Sequence, residues 1–461
     1  VTTEAARFRE RAENKARDGQ HRKLLLRVID NYDGQSRAMK AAQFRDWQRA
    51  RALAETIKDA ALDALPELLV EFERRATARG TQVLWAEDAE EARRFILDVI
   101  ARTGARRVVK SKSMTSEEIE LNELLEGQGV EVVESDLGEL IVQLAHEKPY
   151  HIVTPAMHKT RVEISELFTR ELGSEPSHDP TVLTAVARRH LRGVYTSADI
   201  GITGANFIVA GDGSIAITEN EGNARLSVAC PRVHVALVGI EKVIPRLSDL
   251  ALFWPLLATS GTGQRITCYS SIVRGPRAPG ERDGPGEMIV ILLDNGRSRL
   301  YGDPKFRHSL RCIRCGACLN VCPVFRTVGG HSYATPYSGP IGSVITPQLR
   351  SLPHWHHLSF ASSLCGACSD ACPVGIDLHH LLLENRARAT AEKHTSTLWR
   401  LVLFLWARLM LSRFWLDVAR RVTVLGGRYL PFLLPKSHRV TLRALPRRTF
   451  RDWQRDRGNA S

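Results

Sequence analysis

Seven of the chain's nine cysteines fall within 61 residues, and their spacing constrains the fold more than any other feature. The first run, "CIRCGACLNVCPVF" from 312 to 325, is C-x2-C-x2-C-x3-C-P. Two intervening residues let consecutive thiolates reach different irons of one cluster, while the cysteine before proline starts a helix and crosses to a second cluster. Structural zinc prefers separated C-x2-C pairs, so iron and sulfur fit the spacing better. The second run, "SSLCGACSDACPVG" from 362 to 375, keeps three of the four cysteines and has Ser362 where the first would stand. The crossing rule predicts one complete set, Cys312, Cys315, Cys318 and Cys372, and one set of three, Cys322, Cys365 and Cys368. Ser362 oxygen, solvent, Cys230 and Cys268 are the candidates for the eighth position; left empty, it gives a 3Fe-4S cluster. The competing reading is a degenerate repeat with no second cluster, which leaves three thiols without a shared role. The expected cofactors are therefore two 4Fe-4S clusters, the second either 3Fe-4S or held at one iron by something other than cysteine.

A chain of 461 residues, 43% hydrophobic and 25% charged, has the composition of a globular protein with more than one domain. Crowded cysteines in a short secreted chain would suggest disulfides. Here the opening "VTTEAARFRERAENKARD" has no apolar signal-peptide core, which predicts a reducing cytoplasm and a metal. The net charge of +13 is uneven: residues 436–461 alone carry +6. The rest is mildly basic and has no zinc-finger, helix-turn-helix or aromatic stacking signature, so nucleic acid is not an expected partner.

Residues 1–60 read as an N-terminal helical segment. There is no glycine between Gly34 and Gly80, and Leu62, Leu65, Leu68, Leu69 and Phe72 recur at helical spacing. Residues 61–300 alternate helical stretches with β-branched runs, "RRVVKSKS", "VEVVESD", "HIVTPAM", "VHVALVGI" and "MIVILLDN", which predicts an α/β domain on a largely parallel sheet. Within it, "ANFIVAGDGSIAITENEGN" predicts a hairpin turning at Gly211 to Ser214. Residues 274–287, rich in Gly, Pro and charge, read as a linker or a long surface loop. A helical ferredoxin domain is expected over 301–388. Beyond it, 389–461 is amphipathic and basic; "TLWRLVLFLWARLMLSRFWLDVARRV" reads as a helix too interrupted by arginine to span a bilayer. It suits a membrane interface or an acidic partner. His331, between the two cysteine runs, reads as a loop residue, and His354, His356 and His357 as surface residues.

The sequence resembles the iron–sulfur protein B family of bacterial lactate utilisation along nearly its whole length. The stretches that carry the likeness are "KSKSMTSEEIELNELLEGQGVEVVESDLGELIVQLAHEKPYHIVTPAMHK", "GITGANFIVAGDGSIAITENEGNARL", and the two cysteine runs with "YSGPIGSVITP" between them. The resemblance implies a central lactate-utilisation (LUD) domain similar to the CoA-transferase and ribose-phosphate-isomerase superfold, followed by a ferredoxin domain with two clusters. It implies an electron-transfer subunit of an L-lactate dehydrogenase system oxidising L-lactate to pyruvate, partnered by the other subunits, in the cytoplasm or peripheral at the inner membrane face. The chain has no strand-borne G-x-G-x-x-G, so hydroxy-acid chemistry is expected on a partner and no catalytic residue is assigned here.

Two other functions compete with this one, the first raised by the superfold. A CoA-transferase-like enzyme would use a carboxylate such as Glu219 or Glu221 as nucleophile, and a scaffold would bind partners without redox change. An anion pocket is expected from Lys110, Lys112, Ser113, Asn206, Glu219, Asn220, Glu221 and Asn223, because cationic and hydroxyl donors suit a carboxylate. The bland alternative is that Asn220, Glu221 and Asn223 stabilise a tight turn.

Overall fold

The computed structural model describes residues 3–419 and 450–458. Helices Glu4–Arg17, Gly19–Gln43, Trp47–Asp63 and Leu65–Thr77 open the chain. Asp18 and Asp46 cap the second and third by accepting from the His21 and Arg49 amides. These helices share a core with the rest of the chain: Leu25, Ile29, Ala54 and Leu62 pack with the buried cysteines and with Phe207 and Phe253 of the α/β domain. Residues Val1–Arg388 accordingly form a single compact unit.

Ten strands follow: β1 (Thr81–Ala86), β2 (Arg107–Lys110), β3 (Glu131–Glu134), β4 (Ile200–Thr203), β5 (Phe207–Val209), β6 (Ser214–Glu219), β7 (Val233–Gly239), β8 (Val243–Ile244), β9 (Tyr269–Val273) and β10 (Glu287–Leu293). Six make one sheet, ordered β1-β10-β7-β4-β2-β3, and every pairing is parallel. Its central strands β7 and β10 are buried almost throughout, as a parallel sheet covered on both faces requires. The predicted hairpin is present, with Val209 opposite Ser214, but it belongs to a second sheet ordered β8-β5-β6-β9. "HIVTPAM" is not a strand. His151 Nδ1 accepts from the Val153 and Thr154 amides, folding this run into a turn. Residues 274–286 are the loop between β9 and β10.

The unit from Ala389 onward contains helices Thr397–Leu411, 413–419 and Phe450–Gly458. The single predicted helix breaks at Ser412, whose hydroxyl accepts from the Trp415 amide and starts the next helix. Of the predicted basic tail, 436–449 and 459–461 lie outside the described residues. No helix among the described residues is long and apolar enough to cross a membrane.

Candidate metal centre and the cavity beside it

The two cysteine runs are the same structure written twice, 50 residues apart. Arg314 and Leu364, at corresponding positions, have φ of 60° and 54°, and Gly316 and Gly366 have φ of 77° and 83°. Each run continues into a one-turn helix, Ala317–Val321 or Ala367–Ala371, and these two helices pack together. Cys322 and Cys372 end them with ψ of 118° in both cases. The match extends to Ser362. The Arg314 amide donates to Cys312 Sγ at 3.4 Å, and the Leu364 amide donates to Ser362 Oγ at 3.1 Å. Ser362 oxygen thus has the local backbone setting of a cysteine sulfur.

The sulfurs fall into two neighbourhoods. Cys312, Cys315, Cys318 and Cys372 line one small cavity together. Burial pushes the Cys315 thiol up to about 12, with Cys372 and Cys312 adding to the effect. Cys318 is driven well up by burial and then by Cys312 and Cys315; Cys368 is the smallest influence on it. In the other set, burial and then Cys322 raise Cys368 to about 12, while Cys322 is raised by burial and by Cys365. Cys230 lies beside Asp283, and the Cys268 amide donates to Asn220; neither is among the groups acting on the set of three.

Seven thiols of this kind fit iron–sulfur clusters. Buried thiolates need a cation to be stable, and backbone amides already point at the sulfurs, Phe325 to Cys322 at 3.5 Å and Ile376 to Cys372 at 3.4 Å. The surroundings of the two sets differ. The set of four is enclosed. Arg51 donates to the Cys372 and Ser369 carbonyls at 2.8 and 2.9 Å, and Asn320 Nδ2 donates to the Gly261 carbonyl at 3.4 Å. The set of three includes exposed Cys365, whose thiol the Ala367 amide and Ser363 hold below the ordinary value.

A cavity of about 360 Å³ adjoins the set of four. On one side it is lined by residues that immediately follow parallel strands: Lys112 and Ser113 after β2, Asp136 after β3, Asn206 after β4 and Lys242 after β7. Ligand sites of open α/β sheets lie outside the carboxyl ends of the strands in this way. Glu219, Asn220, Glu221 and Asn223 close a second side, and Arg314, Cys315 and Tyr337 a third. Seven of the eight residues expected in an anion pocket line this cavity.

Lys110 is the exception. It is buried, with its ammonium 2.7 Å from Glu134 and 3.1 Å from Glu117. At the last residue of β2 its side chain takes the opposite face from that of the next residue. Both Glu219 oxygens accept from the Ala224 and Arg225 amides, so this carboxylate, which was not among the residues expected to stabilise the turn, serves it. Glu221 gives one oxygen to the Leu137 amide at 2.9 Å. Burial, then Asp136, push its carboxyl up to about 7.

Three cations went unrecognised in sequence. Arg314 lies inside a C-x2-C loop, where spacing draws attention to the cysteines alone; Lys242 follows β7 in "VGIEK"; Arg297 opens a helix after β10. Glu241 bridges two of them, at 2.6 Å from Arg297 and 3.3 Å from Arg314, and Arg297 also holds Glu118 at 2.8 Å. Burial raises the Glu241 carboxyl, but Arg297, Arg314 and Lys242 outweigh it and hold it at about 2. His331 bonds the Lys148 carbonyl at 2.7 Å and packs on Tyr150 and His158. His357 is buried against Phe8 and Trp355 and is not a surface residue.

Comparison with known proteins agrees with this division. Residues 69–293 match the LUD domain, and residues 308–376 match the 4Fe-4S dicluster domain. The chain is 43% identical to Lactate utilization protein B of Shouchella clausii over 392 residues, 85% of this chain and 82% of that one. It is 42% identical to the protein of that name from Bacillus licheniformis, covering 84% and 81%. For that of a Geobacillus species the identity is 45%, covering 76% and 74%. A DUF162 family protein from Deinococcus radiodurans aligns at 13% identity and a TM-score of 0.28, over 50% of this chain and 98% of that one, too low to carry an argument.

Proposed function

This chain belongs to the Lactate utilization protein B family, and from that premise we propose that it is the iron–sulfur electron-transfer subunit of a system oxidising L-lactate to pyruvate, working with the system's other subunits. The observation that carries the reading is the contrast between a set of four thiols beside a cavity, three of them buried and none exposed, and a set of three that reaches the surface through Cys365. When bound, 4Fe-4S clusters supply one-electron redox chemistry. The chain's part is to fix their order. Cys312, Cys315, Cys318 and Cys372 hold the inner one, and Cys322, Cys365 and Cys368 hold the outer one, with Ser362 oxygen as its fourth ligand. Arg51 and the N-terminal helices exclude water from the inner site. The region 389–461 is the segment offered to an acidic partner surface.

A CoA-transferase-like role has less support, because Glu219 spends both oxygens on backbone amides. The test is anaerobic purification with iron and sulfide counts and EPR, followed by addition of the partner subunits and L-lactate. The reading expects two cluster signals, both reduced only when partners and lactate are present together. Lactate turnover by this chain alone, or a complex that turns over normally after Cys372→Ala, overturns it.

A further inference from the structure

The cavity between the strand ends and the inner thiol loop has a charge pattern that electron transfer does not require. Arg297 and Arg314 are matched by Glu118 and Glu241. Lys242 is not matched: its side chain is more than nine-tenths buried, lines the cavity, and makes no ion pair or hydrogen bond among the described residues. A buried ammonium without a partner is expensive. Burial, then the field of Arg314, push it down to about 8, so it is still charged at neutral pH. Next to it, Arg314 Nη1 is buried with no hydrogen-bond partner. The far end of the cavity is acidic, but Asp136 caps the Glu139 amide and Glu219 is spent on the turn. Glu221 remains there with one oxygen free.

We propose that this cavity binds a small hydroxy- or oxo-monocarboxylate, its carboxylate between Lys242 and Arg314 and its oxygen substituent toward Glu221, and that occupancy is coupled to the redox state of the inner cluster. The volume of about 360 Å³ falls within the range of small-molecule sites, roughly 300–1,000 Å³. The one cation left over at the Lys242–Arg314 wall suits a monoanion, and the acidic residues Asp136, Glu219 and Glu221 in the same lining disfavour a dianion such as phosphate. Coupling follows from shared walls, since Arg314 and Cys315 line both this cavity and the one enclosed by the four inner cysteines. An anion held there opposes an added electron by simple Coulomb repulsion. Reciprocity then makes the reduced protein bind the anion more weakly by the same factor. The coupling rests on the electron-transfer reading; the binding site does not.

The experiment uses the full chain with its clusters, and pyruvate as probe. Calorimetry is expected to show saturable binding to the oxidised protein that weakens about tenfold on dithionite reduction. EPR-monitored titration with pyruvate present should then show the inner cluster's midpoint lowered by about 59 mV, the equivalent of tenfold for a one-electron couple. Lys242→Met, which keeps volume and removes charge, should abolish binding while iron content and EPR line shape stay unchanged, and Lys242→Arg should restore part of it. If Lys242→Met does not fold, Lys112→Met at the other wall should weaken binding. No pyruvate binding by protein that shows both cluster signals overturns the proposal and leaves the cations serving the cluster alone. Binding that survives Lys242→Met, or phosphate binding in its place, overturns the assignment of ligand and site, and binding without a potential shift overturns the coupling. Loss of both cluster signals in the wild type would instead count against the electron-transfer reading, with calorimetry still reading the site.

Discussion

The two cysteine runs have nearly the same backbone and nearly opposite surroundings. Both place a left-handed residue before the second ligand position and a left-handed glycine after it, and both aim a backbone amide at the first ligand atom. Around the first run stand Arg314, Lys242 and the N-terminal helices; at the end of the second, Arg51 holds the Ser369 and Cys372 carbonyls, while Cys365 meets solvent. Local sequence therefore sets the grip on a cluster, and the environment sets what that cluster can exchange with. A site enclosed beside a cavity suits receipt of electrons from within an assembly. A site open at one sulfur suits delivery.

Removing one inner and one outer ligand should separate these roles most sharply. Cys318→Ala takes a buried thiol from a core that also holds Leu25, Ile29 and Phe253. We expect the inner EPR signal to vanish, iron to fall from about eight to about four per chain, and stability to drop by at least about 4 kcal/mol, the size reserved for loss of a metal site. Cys365→Ala should lose only the outer signal and melt close to the wild type. Equal thermal penalties for the two would mean that the sites are equally embedded, contrary to the burial pattern.

Ser362 tests how far the likeness between the runs extends. With Ser362 Oγ in the position of Cys312 Sγ, Ser362→Ala should make the outer cluster lose one iron in air, and Ser362→Cys should keep it with a changed EPR signature. The inner signal should be untouched by either. Spectra unchanged in both variants would assign the eighth position to solvent or to another side chain.

The cysteine runs were legible because ligand spacing is a local property: candidate sets could be written down from Cys312 to Cys372 before any fold was known. The parallel sheet was legible too, since β7 and β10 are long apolar runs. The cavity was half legible. Lys112, Ser113 and Glu221 stand in polar stretches at predicted strand ends, and Lys242 follows β7 in a run that reads as apolar, whereas Arg314 reaches the cavity only because the cysteine region packs against the sheet. Lys110 was misplaced because a single residue of register decides which face of β2 it takes. The N-terminal helices were recognised as helices, but nothing in their spacing revealed that Leu25 and Ile29 pack among cysteines some 300 residues away.

Thiol reactivity should rank the two sites without reference to iron spectroscopy. In chelated, reduced protein carrying Cys230→Ser and Cys268→Ser, Cys365 should be alkylated first. It is exposed and its pKa is lowered, so thiolate persists as pH falls toward neutrality. Cys315 and Cys368 at about 12, and Cys372 at about 11, gain thiolate tenfold per pH unit up to those values and are scarcely ionised at pH 8. We expect Cys365 to react at least about 100-fold faster than Cys315 at pH 7.5, measured by mass spectrometry of the labelled peptides. Comparable rates would show that the inner site opens freely without its cluster.

The smallest difference lies in the paired glycines. At φ of 77° and 83°, either Gly316→Ala or Gly366→Ala forces an L-residue into the left-handed region, at about 1–2 kcal/mol. Their neighbours then separate them. A Cβ on Gly316 would meet His151 Cε1 and Val153 Cγ2 at 3.2 Å, and His151 is buried and fixed by two backbone amides, so it cannot give way cheaply. Overpacking of this kind adds about 1–3 kcal/mol. A Cβ on Gly366 would meet only His379 Cε1 at 3.9 Å, an ordinary contact. Urea unfolding should therefore place Gly316→Ala below Gly366→Ala by about 1–3 kcal/mol, although the two substitutions are identical in sequence context, Cys-Gly-Ala-Cys. Equal costs would mean that the His151 turn yields to the inner loop, and that the enclosure distinguishing the two sites is softer than its contacts imply.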